Sequence, residues 1–219
     1  MTDITVKNGY SASLRFSPPT ASGAMMPLIV LASSSSSRRE LLGRLGLPFQ
    51  HHSPDIDETP RAGETPRMLA ERLSREKAQA LAEHYPHHLI IGSDQVVSID
   101  DDLLGKPGNL NRARQQLQRF SGRRIHFLTG VALLDTRRHH CDTFVDLTSV
   151  DVRSLGPEEI EGYLIKEPAI DNAGSFYMEK LGTALFEGIH TSDPSALIGL
   201  PLIALCRLLR DAGINPLLE

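Results

Sequence analysis

A chain of 219 residues, 40% hydrophobic and 23% charged, can bury a core as one domain or as two lobes sharing a sheet. Its net charge of −4 argues against a nucleic-acid surface, though a local cluster of cations could still take a small anionic ligand. Cys141 and Cys206 form no CxxC pair, as in a reducing compartment, and no apolar run approaches the roughly 18 residues of a membrane span, so a cytoplasmic protein is expected.

Residues 1–25 show no helical or strand period, hold the breaker pair Pro18-Pro19 and lack the apolar stretch of a secretory signal. They read as a disordered extension, or as the product of an upstream start codon, before a domain spanning 26–219. A buried strand, Leu28–Ala32, then runs into the serine tract Ser33–Ser37 and a helix near Arg38–Leu45. Ser37-Arg38-Arg39-Glu40 fits a capping box, with Gly46 as the stop. A short strand near Phe49–Ser53 leads to an acidic, proline-rich loop, Pro54–Gly63, and Thr65-Pro66 opens a helix to about Ala82. The apolar stripe of that helix is Leu69, Leu73 and Ala80, with Lys77 at its edge.

Two strands, Leu89–Ile91 and Val96–Ile99, flank Gly92-Ser93-Asp94-Gln95. A turn at Asp100–Asp102 and the segment Leu104-Gly105-Lys106-Pro107 precede a helix, Leu110–Phe120. Arg124–Asp135 and Thr143–Val152 read as an antiparallel pair. A helix near Pro157–Leu164, a glycine-bearing loop Gly174–Gly182, a strand Thr183–Glu187 and a final helix ending at Gly213 complete a mixed α/β chain without internal repeat.

Polar groups gather at four of these places. Serines and arginines at a helix start offer an anion site through free N–H groups and the helix dipole. Asp57-Glu58-Thr59, Lys77, and Asp94 with Lys106 add carboxylates and cations. Carboxylates can hold a divalent ion or take a proton from water, while cations offset charge on phosphate oxygens, which is the equipment for cleaving a phosphoanhydride. Each has a plainer reading: Asp94 as a turn residue, Arg39 and Glu40 as solvated helix charges, Lys106 as a turn lysine. Gly105-Lys106-Pro107 is no P-loop, because it lacks the earlier Gly and the following Ser or Thr. His84, His87 and His88 are interrupted by Pro86 and read as surface residues rather than ligands.

Leu31-Ala32-Ser33, Ser35, Arg38-Arg39, Asp57-Glu58-Thr59, Glu76-Lys77-Ala78, Gly92-Ser93-Asp94-Gln95 and Gly105-Lys106-Pro107 resemble, in order and spacing, the Maf family of nucleotide pyrophosphatases. Ser93-Asp94-Gln95, Ala173-Gly174-Ser175-Phe176 with Glu179, and Gly199-Leu200-Pro201-Leu202 resemble the branch acting on 7-methyl-GTP. The dTTP/UTP branch has Asp-Thr at 94–95 and Gln at 179. The resemblance implies hydrolysis of a nucleoside triphosphate substrate to monophosphate and diphosphate with Mg²⁺ or Mn²⁺. It also implies a twisted mixed sheet in two lobes around a central cleft, like the inosine-triphosphate pyrophosphatases, and a homodimer. Asp94 matches the proton acceptor and, with Glu58, the metal carboxylates. Ser33, Arg38, Lys77 and Lys106 match phosphate-binding positions, and Ser37, Gln95 and Glu179 those that set base preference. Two positions depart from the pattern: Ser36 stands where the family has Pro, and Ser37 where the branch has an aromatic residue. A dTTP/UTP pyrophosphatase and a non-catalytic nucleotide-binding regulator of division are the alternative readings.

Overall fold

A computed structural model of the protein describes residues 28–100 and 102–218; the extension read at 1–25 lies outside the described residues. Strand β1 (Ile29–Ala32) is buried at all four positions, as a strand covered on both faces must be. It pairs in parallel with β2 (Phe49–His52) on one side and β3 (Leu89–Ile99) on the other. Beyond β3 the sheet turns antiparallel through β5 (Arg124–Asp135), β6 (His140–Val152) and β7 (Phe186–His190), and β4 (Asp102–Leu104) folds back onto the end of β3. This is the expected mixed α/β sheet.

Several boundaries differ from the sequence reading. Helix α1 (Ser36–Gly43) is capped by Ser35, whose hydroxyl accepts from the Arg38 N–H, not by Ser37. Glu40 pairs with Arg44 along the helix instead of closing a capping box, and Gly46, at φ 71°, turns the chain after the helix has ended. Helix α2 (Pro66–Gln79) starts as expected, capped by Thr65. Its buried face is Leu69, Ala70, Leu73, Ser74, Lys77 and Ala78; Ala80 is exposed because it lies past the last full turn. The strands expected on either side of Asp94 are one continuous strand, β3.

Helix α3 (Leu110–Phe120) has the expected span, and α4 (Pro157–Lys166) runs two residues longer. Residues Leu181–Leu185 form a 3-10 turn where a strand was expected, because the N–H groups of Lys180 and Gly182 both bond the Tyr177 carbonyl. The last helical region is two helices, α5 (Pro194–Ile198) and α6 (Leu202–Asp211), parted by Gly199 at φ 129° and Pro201.

Strand alternation divides the core. Ile29, Leu31, Leu89 and Ile91 pack with α1 and α6, while Val30, Ala32 and Ile90 face the α2 side. The far ends of β3, β5 and β6 pack with α3 and α4 around Phe120, Phe127 and Phe176. Long shared strands therefore join two cores in one sheet. Helix α2 approaches that sheet unusually closely. A Cβ on Gly92 would lie 2.0 Å from the Ser74 carbonyl oxygen, and one on Gly130 would lie 2.3 Å from that of Ala70.

Gly92→Ala must therefore push α2 off the sheet, and its cost should reach or exceed about 3 kcal/mol, the upper end for overpacking. Gly162→Ala, in α4 with no atom within 4 Å of the added methyl, should instead gain about 0.5–1 kcal/mol from helix propensity. Thermal melts of the two variants check both signs.

Candidate active site

A cleft of about 770 Å³ opens along the edge of β3, within the usual size of a small-molecule site. Its location follows from strand lengths. Parallel pairing of β1 with β3 ends at Ala32 and Gly92, and antiparallel pairing of β4 with β3 begins at Val97. Between these points β3 keeps only β5 as a neighbour. Asp94 and Gln95 sit in the gap, and both line the cleft. The ligand crevice at the carboxyl end of a parallel strand is thus present, but the strand that ends there is β1.

Alternation sends neighbouring side chains to opposite faces. Asp94 points to the α2 side, where Lys77 Nζ donates to its Oδ1 at 2.6 Å. Both residues are buried. The same ammonium lies 2.7 Å from Glu58 Oε1, so one lysine gathers two carboxylates. Asp94 Oδ2 has no protein partner among the described residues. On the other face, the Ser93 hydroxyl lies within hydrogen-bond distance of the Gly130 and Gly199 carbonyls, at 2.7 and 3.0 Å. Arg38 Nε also donates to the Gly199 carbonyl, at 2.8 Å, which fixes α1 to the α5–α6 turn.

Glu58 comes from the acidic loop. Asp57 Oδ1 accepts from the Thr59 N–H and turns the chain there. Arg72 of α2 then holds the loop down through Glu64 at 2.7 and 2.9 Å and the Thr59 carbonyl at 3.1 Å, and is itself braced by Glu76 one turn along the helix at 2.9 Å. Burial pushes the Glu58 carboxyl up, but the hydrogen-bonded Lys77 ammonium, with Lys106 and Arg38 nearby, holds it below its ordinary value. For Arg38 burial lowers the guanidinium, and Asp94 and Glu58 oppose that shift.

The remaining expected residues also meet here. Ser33 lines the cleft, its hydroxyl accepting from the Ser35 N–H. Lys106 is exposed on the opposite lip and forms no ion pair among the described residues. The Ser37 hydroxyl donates to Glu179 Oε1 at 3.1 Å, joining residues 142 positions apart. The Gln95 amide nitrogen is spent on Thr129 and on the Ala196 and Leu197 carbonyls of α5, all at 3.0 Å; no protein donor faces its carbonyl oxygen among the described residues. Sequence reasoning passed over Arg72, whose loop partners lie 8 and 13 residues away at no helical spacing, and gave Ser93 and Gly199 only as parts of family motifs.

A divalent ion fits this set in one way. Among the described residues no three His, Cys, Asp or Glu side chains stand together as a metal cage. Asp94 and Glu58, joined through Lys77, suit an ion that takes one or two carboxylates and completes its shell with phosphate oxygens and water, as Mg²⁺ does.

A family model described as Maf-like protein matches residues 28–212. A 7-methyl-GTP pyrophosphatase of Chromohalobacter salexigens is 54% identical over 194 residues, 88% of this chain and 100% of that protein. Proteins with the same name from Xanthomonas campestris pv. campestris and Xanthomonas oryzae pv. oryzae are 53% and 52% identical over 87% of this chain and 99% of their own lengths.

The Arg72 clamp carries a pH dependence. The Arg72 hydrogen bonds hold the Glu64 carboxyl down from 4.5 to about 2, both side chains being largely covered. A depressed carboxyl stabilises the fold above its ordinary pKa, and that stability is lost as pH falls from 4.5 toward 2. Glu64→Gln should cost about 1–3 kcal/mol at pH 7, the range for hydrogen bonds to a charged group, and should flatten the acid limb below pH 4.5 in denaturant titrations.

Proposed function

Since this chain belongs to the Maf family, we propose that it hydrolyses 7-methyl-GTP to 7-methyl-GMP and pyrophosphate, removing a modified nucleotide before it can enter nucleic acid. Its 54% and 53% identical relatives carry the name 7-methyl-GTP pyrophosphatase. The observation that carries the reading is the division of charge in the cleft. Lys77, Lys106 and Arg38 line the cleft beside Glu58 and hold its carboxyl down, whereas Asp171 and Glu179 line it beside Tyr177 and add to burial in pushing that phenol up. A nucleotide with an anionic triphosphate and a cationic 7-methylguanine matches such a cleft at both ends.

Chemistry follows from the positions of the side chains. Lys77 holds Asp94 by Oδ1 and leaves Oδ2 to take a proton from water. That water attacks the α-phosphorus, the bond from the α-phosphorus to the bridging oxygen breaks, and pyrophosphate leaves with the oxygen. Arg38, Lys77 and Lys106 offset the charge on the phosphates, with Ser33 beside them. Asp94 and Glu58 would hold Mg²⁺ or Mn²⁺, which when bound supplies further charge neutralisation on the phosphates. At the other end, Gln95 offers a carbonyl oxygen to guanine N–H donors and Glu179 a carboxylate to the cationic ring. No helix among the described residues is long and apolar enough to cross a membrane. A cytoplasmic location is proposed on the cysteine usage, and a homodimer on family resemblance alone.

Asp94→Asn should lower kcat by roughly 10²–10⁴-fold, the contribution of general base catalysis, with an unchanged circular dichroism spectrum. Pyrophosphate release by the folded variant at the wild-type rate would remove Asp94 from the chemistry.

Base choice is read from the ratio of kcat/KM for 7-methyl-GTP over UTP. Glu179→Gln should lower that ratio roughly 2- to 30-fold, equivalent to about 0.5–2 kcal/mol of attraction to the cationic ring. Ser37→Ala, which frees Glu179 without removing its charge, should lower it by less. A wild-type preference for dTTP or UTP would overturn the assignment of 7-methyl-GTP.

A further inference from the structure

Lys106 stands on an exposed lip of the cleft, yet its backbone is closely defined. Pro107 is buried and restricts the residue before it to extended conformations. On the other side, Gln116 Nε2 of α3 donates to the Gly105 carbonyl at 2.9 Å, which fixes the peptide plane that Gly105 shares with Lys106. The other end of the same side chain, Oε1, accepts from the Ser175 hydroxyl at 2.6 Å. Ser175 is fully buried and holds φ 61°, a left-handed conformation that a non-glycine residue keeps only when its surroundings enforce it. A second tie runs alongside, from the Gly108 N–H to the Ile170 carbonyl at 2.9 Å. The loop before α3, with its lysine, and the loop of residues 171–180, with Glu179, are therefore joined through one amide.

We propose that Gln116 is a positioning residue that sets Lys106 against the substrate phosphates and ties the phosphate-binding lip to the base-binding loop. It touches no substrate and acts through the Gly105–Lys106 peptide and through Ser175. This rests on the reading that Lys106 faces phosphate, and the experiment separates the two.

The test is a double-mutant cycle on the full chain, using kcat/KM for 7-methyl-GTP with Mg²⁺. Gln116→Met keeps side-chain bulk but removes both hydrogen bonds. It should lower kcat/KM roughly tenfold, within the 10²-fold that a misplacement of about 1 Å can cost, chiefly as a rise in KM. In a Lys106→Met background the same change should have almost no further effect, because the group it positions is gone. A merely structural role would give equal losses in both backgrounds, since effects of uncoupled sites add. Equal losses overturn the proposal, as does a Gln116→Met protein with wild-type kinetics. Lys106→Met with wild-type kcat/KM would refute the phosphate role of Lys106 and this inference with it. Should Gln116→Met fail to fold, Ser175→Ala removes a single hydroxyl and enters the same cycle, with a smaller loss that must also vanish without Lys106. If wild type leaves 7-methyl-GTP intact, the substrate proposal fails, and the cycle is run on the triphosphate it does cleave.

Discussion

The active site depends on how closely α2 lies on the sheet. Gly92 and Gly130 have no side chains to hold the helix off, and Ser74 and Ala70 of α2 sit with their carbonyls where a Cβ would be. That approach brings Lys77 within 2.6 Å of Asp94 in the middle of β3. A buried ion pair is weak evidence for stability, since desolvation of both charges offsets much of their attraction. Stability on this face comes from Leu69, Ala70 and Leu73 packing on Val96, Leu128 and Val145. The lysine and the aspartate are carried by that packing, and the role proposed for them lies in the chemistry.

The sheet supplies the second condition. A strand inside a complete sheet has both edges occupied, which leaves no crevice beside it. Here β1 stops at Ala32 and β4 joins only at Val97, so four residues of β3, Ser93 to Val96, keep one open edge. Pairing with β5 is unbroken through the gap, and Asp94 is held as rigidly as any core residue. Because alternate side chains leave by opposite faces, one tetrapeptide serves both walls: Asp94 meets α2, while Ser93 and Gln95 anchor the α5–α6 turn through Gly199, Ala196 and Leu197. Arg38 is drawn into place by the same Gly199 carbonyl. Rigid support behind the reacting groups is what gives precise catalytic geometry.

At the outer end of the cleft, position 37 holds a small hydroxyl instead of an aromatic ring. Ser37 offers no stacking surface, but its hydroxyl holds Glu179 across the cleft mouth. In the proposed reading, discrimination at this end of the substrate rests on a fixed negative charge. Such a charge distinguishes a cationic ring from a neutral one, whereas a stacking face favours any base and the cationic one only moderately more.

Much of this was legible in the sequence because it depends on local signals. Thr65-Pro66 starts a helix wherever it meets an apolar period, Leu110–Phe120 has clear ends, and Arg124–Asp135 reads as a strand from its composition. The ordered motifs gave the family and every expected site residue, and all of them gather at one cleft. Other features were decided by contacts between distant segments. Whether β3 breaks at Asp94 depends on β5, thirty-odd residues later, which pairs straight through it. Which serine caps α1 depends on the path of the turn leaving β1, and the cap fell to Ser35. Arg72 clamping the Glu58 loop, Gln116 bridging two loops and Ser37 meeting Glu179 join residues whose spacing in the chain carries no signal. Residue types and motif order thus determined which chemistry this protein holds. Its geometry was set by the tertiary structure, since only close packing at two glycines and an early end to one strand bring a lysine and two carboxylates to a single point.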